Sequence, residues 1–359
     1  MGKVYKILIV DDSLLVRQAL QDVFATDPEL EVVGVASDPY VAAQELKKSV
    51  PDVITLDIEM PKMNGITFLK KLMQQHPIPV VIISTLTQKG SKGAVKALEY
   101  GAVDVVGKPK VNTKELLQQD SSDLCRIVKA AAKSNINAII AQRKFVNAFS
   151  NTNVTPSKKV YTSTSQIIAI GASTGGTEAI RTLLKSMPED CPGIVIVQHM
   201  PEVFTKQFAD RLDTECTIKV KEAADGDSVV MGQALIAPGD KHMLLKRQGT
   251  KYYVDVKSGP LVNRHMPSVD VLFKSTARYA RGNAIGIILT GMGKDGAAGL
   301  LEMKKEGAKT IAQNEETSVV YGMPKEAVKI GAVDEVLPLD QIGSSLLSHV
   351  KEISKIDIY

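Results

Sequence analysis

The feature that most constrains the fold of this chain is a rhythm of short apolar runs alternating with amphipathic, helix-like stretches. Parallel strands need a crossover between them, and the crossover is usually a helix. The alternation therefore predicts an α/β domain with a parallel sheet and helices on both faces. In the N-terminal part, the predicted strands are 6–10, 31–36, 53–57, 80–84 and 104–106, and the predicted helices are 13–26, 39–49, 65–75 and 90–100.

The same rhythm resumes after a polar stretch. Residues 112–149 have helical character in parts, whereas 150–165 are rich in Ser, Thr and Asn, as is typical of a linker. A chain of 359 residues also exceeds the length that one core usually supports. We therefore expect a second α/β domain after the linker. Its predicted strands are 166–170, 194–198, 284–290 and 309–313, with a hairpin at 243–256.

Composition favours a soluble, cytoplasmic protein. The first apolar run is too short for a signal peptide and ends in two aspartates, and no run approaches the length of a membrane span. We expect no membrane insertion. The three cysteines are odd in number and widely spaced, which argues against disulfides and against a zinc site. They are expected to be reduced thiols: Cys125, Cys191 and Cys216.

Positive charge is concentrated in one segment. Residues 121–165 contain seven Lys or Arg against the single acid Asp123, a local balance of +6. The segment lacks the interleaved aromatic residues of a single-strand binder and has no nucleic-acid reading motif. A solvated linker is the favoured interpretation, and no nucleic-acid partner is expected.

Polar side chains stand at the predicted ends of the N-terminal strands. Asp11 and Asp12 end the first strand, Asp57 the third and Ser84 the fourth, and Lys108 follows the fifth. In an open parallel sheet these ends meet in one crevice, where three carboxylates favour Mg²⁺. Asp57 could then attack a phosphoryl group and hold it as an acyl phosphate. Helix capping and a surface lysine would explain each feature alone, but not all five in strand order.

These positions resemble the receiver domain of two-component response regulators, over residues 3–117. The resemblance implies that Asp57 accepts phosphate from a sensor histidine kinase, and that Asp12, Asp57 and the Glu59 carbonyl bind Mg²⁺. It also implies that Ser84 and Lys108 read the phosphorylated state. Receivers often carry an aromatic switch residue three positions before the lysine, where this chain has valine. The motifs are Val10-Asp11-Asp12-Ser13, Leu56-Asp57-Ile58-Glu59-Met60-Pro61-Lys62-Met63-Asn64-Gly65 and Gly107-Lys108-Pro109, and the valine is Val105.

A possible nucleophile marks the second domain. Ser173 lies in a turn of small residues between the apolar run 167–170 and a helix-like stretch at 177–185. A sharp turn from strand to helix leaves one side chain approachable, which is where an acyl-transfer enzyme needs its hydroxyl. A dinucleotide fingerprint is disfavoured, because serine replaces the glycine that would let the backbone approach a pyrophosphate.

A serine needs a base, and the histidines supply candidates. His199 follows the apolar run 194–198 and should emerge at the same strand ends as Ser173. It is the favoured base, although a lone histidine is more often structural. His242 and His265 are expected to line the substrate cleft.

A glycine-rich turn at 289–296 suggests the third group. Asp295 should lie at the strand ends, and the turn could aim N–H groups at a developing oxyanion. By motif alone, a phosphate-binding loop or a plain turn fits as well. The order Ser173, His199, Asp295 matches neither the α/β-hydrolase order nor those of chymotrypsin and subtilisin, so an ordinary lipase is disfavoured.

The whole chain resembles the chemotaxis response regulator protein-glutamate methylesterases. The resemblance implies a triad of Ser173, His199 and Asp295, with the Met292 backbone N–H in the oxyanion hole. It also implies a flavodoxin-like (βα)5 receiver at 1–120, a linker at 121–165 and a three-layer αβα sandwich with a mostly parallel sheet at 166–359. Relatives often carry arginine where this chain has Met266. The motifs are Gly171-Ala172-Ser173-Thr174-Gly175-Gly176, Val197-Gln198-His199-Met200, Ala237-Pro238-Gly239-Asp240-Lys241-His242, Leu289-Thr290-Gly291-Met292-Gly293-Lys294-Asp295-Gly296 and Ala312-Gln313-Asn314-Glu315-Glu316.

The expected function is demethylation of glutamate methyl esters on the cytoplasmic helices of chemoreceptors, with glutamine deamidation as a second activity. A chemotaxis histidine kinase would supply the phosphate, and the unphosphorylated receiver would block access to Ser173. We expect Mg²⁺ in the receiver, no cofactor in the esterase site, and a monomer. The alternatives are a DNA-binding regulator, which would need a helix-turn-helix, and a non-catalytic adaptor, whose Ser173 would resist serine-directed inhibitors.

Overall fold

A computed structural model describes residues 3–60, 63–85, 88–108, 114–149 and 164–356. The chain divides into two compact units, residues 1–143 and 144–359, a division that falls inside the predicted linker. Part of that linker, 150–163, lies outside the described residues. The same holds for Pro61, Lys62 and Pro109 of the receiver-like motifs.

The N-terminal unit contains a five-stranded sheet in the order β2-β1-β3-β4-β5, with every pair parallel. This is the flavodoxin-like order, so the predicted (βα)5 fold is confirmed. The residues of β3 and β4 are all buried, as expected for strands covered by helices on both faces. The strands are β1 (Tyr5–Val10), β2 (Leu30–Ala36), β3 (Val53–Leu56), β4 (Val80–Ser84) and β5 (Asp104–Gly107).

Helices follow these strands after short turns that carry their own caps. The side chains of Ser13, Asp38 and Asn64 accept backbone N–H bonds in the first turns of α1, α2 and α3. The helices are α1 (Leu14–Ala25), α2 (Pro39–Lys48), α3 (Gly65–Gln75), α4 (Gln88–Glu99), α5 (Lys114–Ala132) and α6 (Ile136–Phe149).

The basic segment at 121–165 is therefore partly helical. In α5, the Lys129 ammonium lies 2.7 Å from Asp27 and 2.8 Å from Glu29, which links this helix to the turn before β2. Arg126 pairs with Asp123 one turn away in the same helix. Part of the positive charge is thus used in internal ion pairs of the N-terminal unit.

The C-terminal unit contains a seven-stranded sheet, in the order β14-β13-β12-β6-β7-β9-β8, in which all neighbours are parallel. The predicted hairpin is present as a separate antiparallel pair, β10 (His242–Gln248) and β11 (Lys251–Lys257). Three of the seven strands, β8, β9 and β14, were not predicted. The sheet strands are β6 (Ile167–Ala172), β7 (Gly193–Gln198), β8 (Lys219–Glu222), β9 (Gln233–Ile236), β12 (Ala284–Ile288), β13 (Lys309–Gln313) and β14 (Glu335–Leu337).

Helices cover both faces of this sheet, which confirms the three-layer arrangement. On one side α7 packs against α8 and α12, and on the other α10 packs against α9 and α11. Among the described residues, none of the helices combines the length and apolar character needed to cross a membrane. The helices are α7 (Gly176–Lys185), α8 (Glu202–Glu215), α9 (Val269–Ala280), α10 (Ala297–Lys305), α11 (Met323–Lys329) and α12 (Leu339–Ile356).

Strand β6 lies at the centre of the sheet, between β7 and β12. The chain leaves β6 for β7 on one side and later returns to β12 on the other, which makes this a topological switch point. In open α/β sheets, ligands bind in the crevice beyond the carboxyl ends of strands at such a point. Ser173, His199 and the turn carrying Asp295 follow these three strands.

Candidate active site

Ser173 is held firmly by its backbone. Its N–H donates to the Thr290 carbonyl at 3.0 Å, and its carbonyl accepts from the Gly176 N–H at 2.6 Å and from Gln198 Nε2 at 2.9 Å. These partners lie just after β12, at the end of β7 and at the start of α7. Only 7% of Ser173 is exposed, and Gly175 makes the turn into α7 with φ of 76°.

The turn after β12 closes tightly against the serine. A Cβ atom added to Gly291 would lie 2.7 Å from Ser173 Cβ and would overlap Met323 Sδ. The Gly291 N–H donates to the Val320 carbonyl, and its own carbonyl accepts from the Gly322 and Met323 N–H groups. Position 291 therefore requires glycine because the backbone of this turn lies so close to Ser173, and not because of an unusual φ.

His199 is oriented by Asp295. Its Nε2 lies 2.9 Å from Asp295 Oδ2, and 8% of its side chain is exposed. Since an ionised carboxylate can only accept, Nε2 carries the proton and Nδ1 keeps the free lone pair. Nδ1 is buried, and no described residue forms a hydrogen bond with it. Within the described residues no hydrogen bond joins His199 to Ser173 Oγ, and catalytic contacts of this kind often tighten only when substrate binds.

Asp295 lies in a dense set of donors at the start of α9. Its Oδ1 accepts from Asn263 Nδ2 at 2.7 Å and Ser268 Oγ at 2.8 Å, and its Oδ2 accepts from the Val269 N–H at 2.7 Å. Burial alone would raise the pKa of Asp295, but hydrogen bonds from His199, Asn263 and Ser268 outweigh it and hold the pKa below its ordinary value. The carboxylate is therefore ionised at neutral pH.

The backbone N–H of Met292 comes directly after Gly291, the residue that lies close to Ser173. It donates no hydrogen bond to any described residue, so it is available to a ligand. Its role in an oxyanion hole remains a prediction.

The two histidines predicted to line the substrate cleft, His265 and His242, make different contacts. The His265 ring stacks on the His199 ring, with centroids 3.7 Å apart and an interplanar angle of 6°. His242 is 5% exposed; its Nδ1 accepts from the Ser268 N–H, and its Nε2 lies 2.9 Å from the Pro260 carbonyl. His242 thus braces the loop that leads into α9. The predicted contacts of both with substrate remain predictions.

Sequence reasoning missed several positioning groups. Asn263 and Ser268 hold Asp295, Gln198 holds Ser173, and Gln313 Oε1 accepts from the Thr290 N–H at 2.8 Å. Gln198 and Gln313 fell inside quoted motifs but suggested no chemistry, because their partners come from other strands.

The predicted crevice of the N-terminal unit is present. Asp11 and Asp57 are 1% and 2% exposed, and the Lys108 ammonium lies 2.8 Å from a carboxylate oxygen of each. Burial raises the pKa of Asp57 above its ordinary value, against the opposing effect of Lys108 and with a further contribution from Asp11. Burial alone would lower the pKa of Lys108, but its hydrogen bonds to the two aspartates raise it.

This crevice offers oxygen ligands for a cation. Carboxylate oxygens of Asp11, Asp12 and Asp57 lie within 4.8 Å of one another. Ser84 ends β4 and is fully buried, and its Oγ has no hydrogen-bond partner among the described residues. The three carboxylates offer hard oxygen ligands, and one of them, Asp12, is exposed to solvent. This combination suits a partly hydrated Mg²⁺. Val105 is buried within β5.

Comparisons with known families match both units. The family described as CheB methylesterase matches residues 168–346, and the response regulator receiver domain matches residues 7–119.

Individual relatives span nearly the whole chain. A protein-glutamate methylesterase/protein-glutamine glutaminase from Oleidesulfovibrio alaskensis is 56% identical and covers 97% of this chain and 99% of its own. A similarly named protein from Geobacter metallireducens is 55% identical over 96% of this chain and 99% of its own. Among solved structures, the CheB methylesterase catalytic domain of Thermotoga maritima is 41% identical, with a TM-score of 0.50 over 51% of this chain and 97% of that domain.

Proposed function

The chain belongs to the CheB methylesterase family of response regulators, and from this we propose that Ser173, His199 and Asp295 hydrolyse glutamate methyl esters on chemoreceptors. The observation that carries the proposal is that the three residues follow three adjacent strands of one sheet. Ser173 follows β6, His199 follows β7, and Asp295 follows β12 with its carboxylate on the imidazole.

The contacts of His199 indicate how the serine is activated. With Nε2–H donating to Asp295, Nδ1 is the nitrogen that takes the Ser173 proton as Oγ attacks the ester carbonyl. Asp295 keeps the imidazole in this tautomer and stabilises the imidazolium that forms. The oxyanion of the tetrahedral intermediate would accept from the Met292 N–H, which has no other acceptor among the described residues.

The second half of the reaction reverses the proton transfer. His199 protonates the departing methoxide, methanol leaves, and an acyl-enzyme on Ser173 remains. Water then attacks this ester while Nδ1 accepts a proton from it, and glutamate is released as the serine recovers its hydrogen. We propose that no metal or cofactor takes part in this site.

Deamidation of receptor glutamines follows the same steps with ammonia as the leaving group. The amide carbonyl has the geometry of the ester carbonyl, and His199 can protonate the nitrogen as it leaves. The names of the relatives include both activities.

In the receiver domain, we propose that Asp57 accepts phosphate from a chemotaxis histidine kinase. Asp12, Asp57 and the Glu59 carbonyl would hold Mg²⁺, which when bound offsets the negative charge of the phosphoryl group. Lys108 already contacts Asp57 at 2.8 Å and can follow the new phosphate oxygens. The Ser84 hydroxyl, which has no hydrogen-bond partner in the part of the chain that the structure describes, can donate to one of them.

For regulation, we propose that the unphosphorylated receiver blocks the path of substrate to Ser173. Phosphorylation can activate only by favouring an open arrangement over the blocked one. We place the domain boundaries at 1–120 for the receiver, 121–165 for the linker and 166–359 for the esterase. We expect the protein to work as a cytoplasmic monomer on methylated receptor helices.

The test is methanol release from methylated receptor membranes by phosphorylated full-length protein. Ser173→Ala should lower turnover by on the order of 10³–10⁶. Ser344→Ala, which removes an exposed hydroxyl in α12, serves as the matched control. A modest loss in the Ser173 variant would refute the assignment.

A further inference from the structure

We propose that the loop 262–268 is a clamp that orients the catalytic imidazole, and that His265 acts in it as a positioning residue through its stack on His199. The inference rests on the proposed function, because it explains how that function's base is aimed. On this proposal, the role of His265 is to contact the His199 ring rather than the substrate.

The stack supplies a constraint that Asp295 alone does not. One hydrogen bond at Nε2 fixes the position of that nitrogen, but it leaves the ring free to swing about the contact. The His265 ring, 3.7 Å away and within 6° of parallel, covers one face of the His199 ring and removes that freedom. Together the two contacts fix the direction in which Nδ1 points.

The loop is built to place His265 on that face. The backbones of Val262 and His265 exchange hydrogen bonds of 2.9 and 3.1 Å around a two-residue turn. Its central residues, Asn263 and Arg264, have φ of 51° and 67°. Such turns favour Asn-Gly, so an arginine at the second position is strained. Strain of this kind persists where surrounding contacts compensate for it, often at functional sites.

The same loop also donates hydrogen bonds to Asp295. Asn263 Nδ2 lies 2.7 Å from both Asp295 Oδ1 and Asp270 Oδ2, and Ser268 Oγ donates to Asp295 at 2.8 Å. His242 accepts from the Ser268 N–H and so anchors the end of the loop. A single short segment therefore touches both the base and the acid, which couples their orientations.

Two substitutions separate stacking from a polar contact with substrate. His265→Phe keeps an aromatic face but removes the ring nitrogens, whereas His265→Asn keeps polarity but removes the aromatic face. The clamp predicts that His265→Asn lowers kcat for methanol release by on the order of 10- to 100-fold, with KM little changed. It predicts that His265→Phe keeps most of the wild-type kcat. His76→Ala, which alters an exposed histidine of the receiver, is the control.

A second measurement does not depend on activity. With ¹⁵N-labelled histidine in the full-length protein, the Nε2–H proton shared with Asp295 should give a downfield resonance in wild type and His265→Phe. It should broaden or vanish in His265→Asn, while amide spectra show the fold intact. If Ser173 proved not to be the nucleophile, this resonance pattern would still hold, so the two ideas fail separately. The clamp would be overturned if His265→Asn kept the wild-type kcat and the downfield resonance. It would also be overturned if this substitution changed only KM.

Discussion

His199 Nε2 lies 2.9 Å from Asp295 Oδ2, although the two residues are 96 positions apart. The sheet makes this possible, because β7 and β12 flank β6 and the two residues follow the carboxyl ends of these strands. In the chymotrypsin arrangement Nδ1 faces the carboxylate and Nε2 faces the serine. Here Nε2 faces the carboxylate, so in the proposed mechanism Nδ1 would be the base.

Replacing Asp295 by Asn should remove most activity while leaving the domain folded. An amide can donate to the imidazole nitrogen as well as accept, so it no longer enforces the Nε2–H tautomer. We expect kcat to fall by about 10⁴. Methanol release and far-ultraviolet circular dichroism would check this; a loss of only a few-fold would show that the carboxylate does not orient the base.

The same carboxylate should make stability depend on pH. The pKa of Asp295 is lowered in the folded protein, so its contribution to the free energy of unfolding is complete above the unfolded value of about 4 and is lost as pH falls below it. The free energies of unfolding of wild type and Asp295→Asn, measured by thermal denaturation, should therefore differ by a constant amount between about pH 5 and 8. That difference should shrink at lower pH, whereas a gap that widens on acidification would contradict the assignment.

Gly291→Ala should disturb the nucleophile sterically. The new methyl group would press on Ser173 Cβ and Met323 Sδ, which costs about 1–3 kcal/mol of stability when a core is overpacked. Urea unfolding measures that cost, and kcat should fall because Ser173 moves. Gly282→Ala is the matched control, since its nearest neighbour would lie 3.6 Å away. Equal behaviour of the two variants would show that the close approach is unimportant.

Asp57→Asn should abolish the response to phosphorylation without removing basal esterase activity. The amide cannot form the acyl phosphate, and Lys108 loses one of its two charged partners. Methanol release with and without a small-molecule phosphodonor would measure the response. Activation that survives in this variant would place the phosphate elsewhere.

Removing the receiver should raise the basal rate if it blocks the site. A fragment of residues 164–359 begins just before β6 and contains the whole seven-stranded sheet. A related catalytic domain has been crystallised as a separate chain. Basal methanol release by this fragment should exceed that of the unphosphorylated full-length protein; an unchanged or lower rate from a folded fragment would count against autoinhibition.

Much of the fold could be predicted because its signals are local. Each of the strands β1, β4, β6 and β7 contains a run of four buried apolar residues, and the predicted bounds lie within two residues of the observed ones. Strand β8 was missed because its sequence, Lys219–Glu222, is mostly charged and half exposed. Only its pairing with β9 makes it a strand.

For the active site, the sequence predicted which groups lie at the strand ends but not what holds them. The small residues around Ser173 and the position of His199 after a buried run are visible locally. The contacts of Gln198 with Ser173 and of Asn263 with Asp295 depend on strand order and on a turn far along the chain. The stack of His265 on His199 likewise has no local signature.

The most direct test is covalent labelling with a serine-directed phosphonate, followed by intact mass measurement and peptide mapping. The account predicts one adduct, on Ser173, with loss of methanol release in proportion to labelling and much slower labelling in His199→Ala. An adduct on another residue, or full activity after Ser173 is blocked, would contradict it.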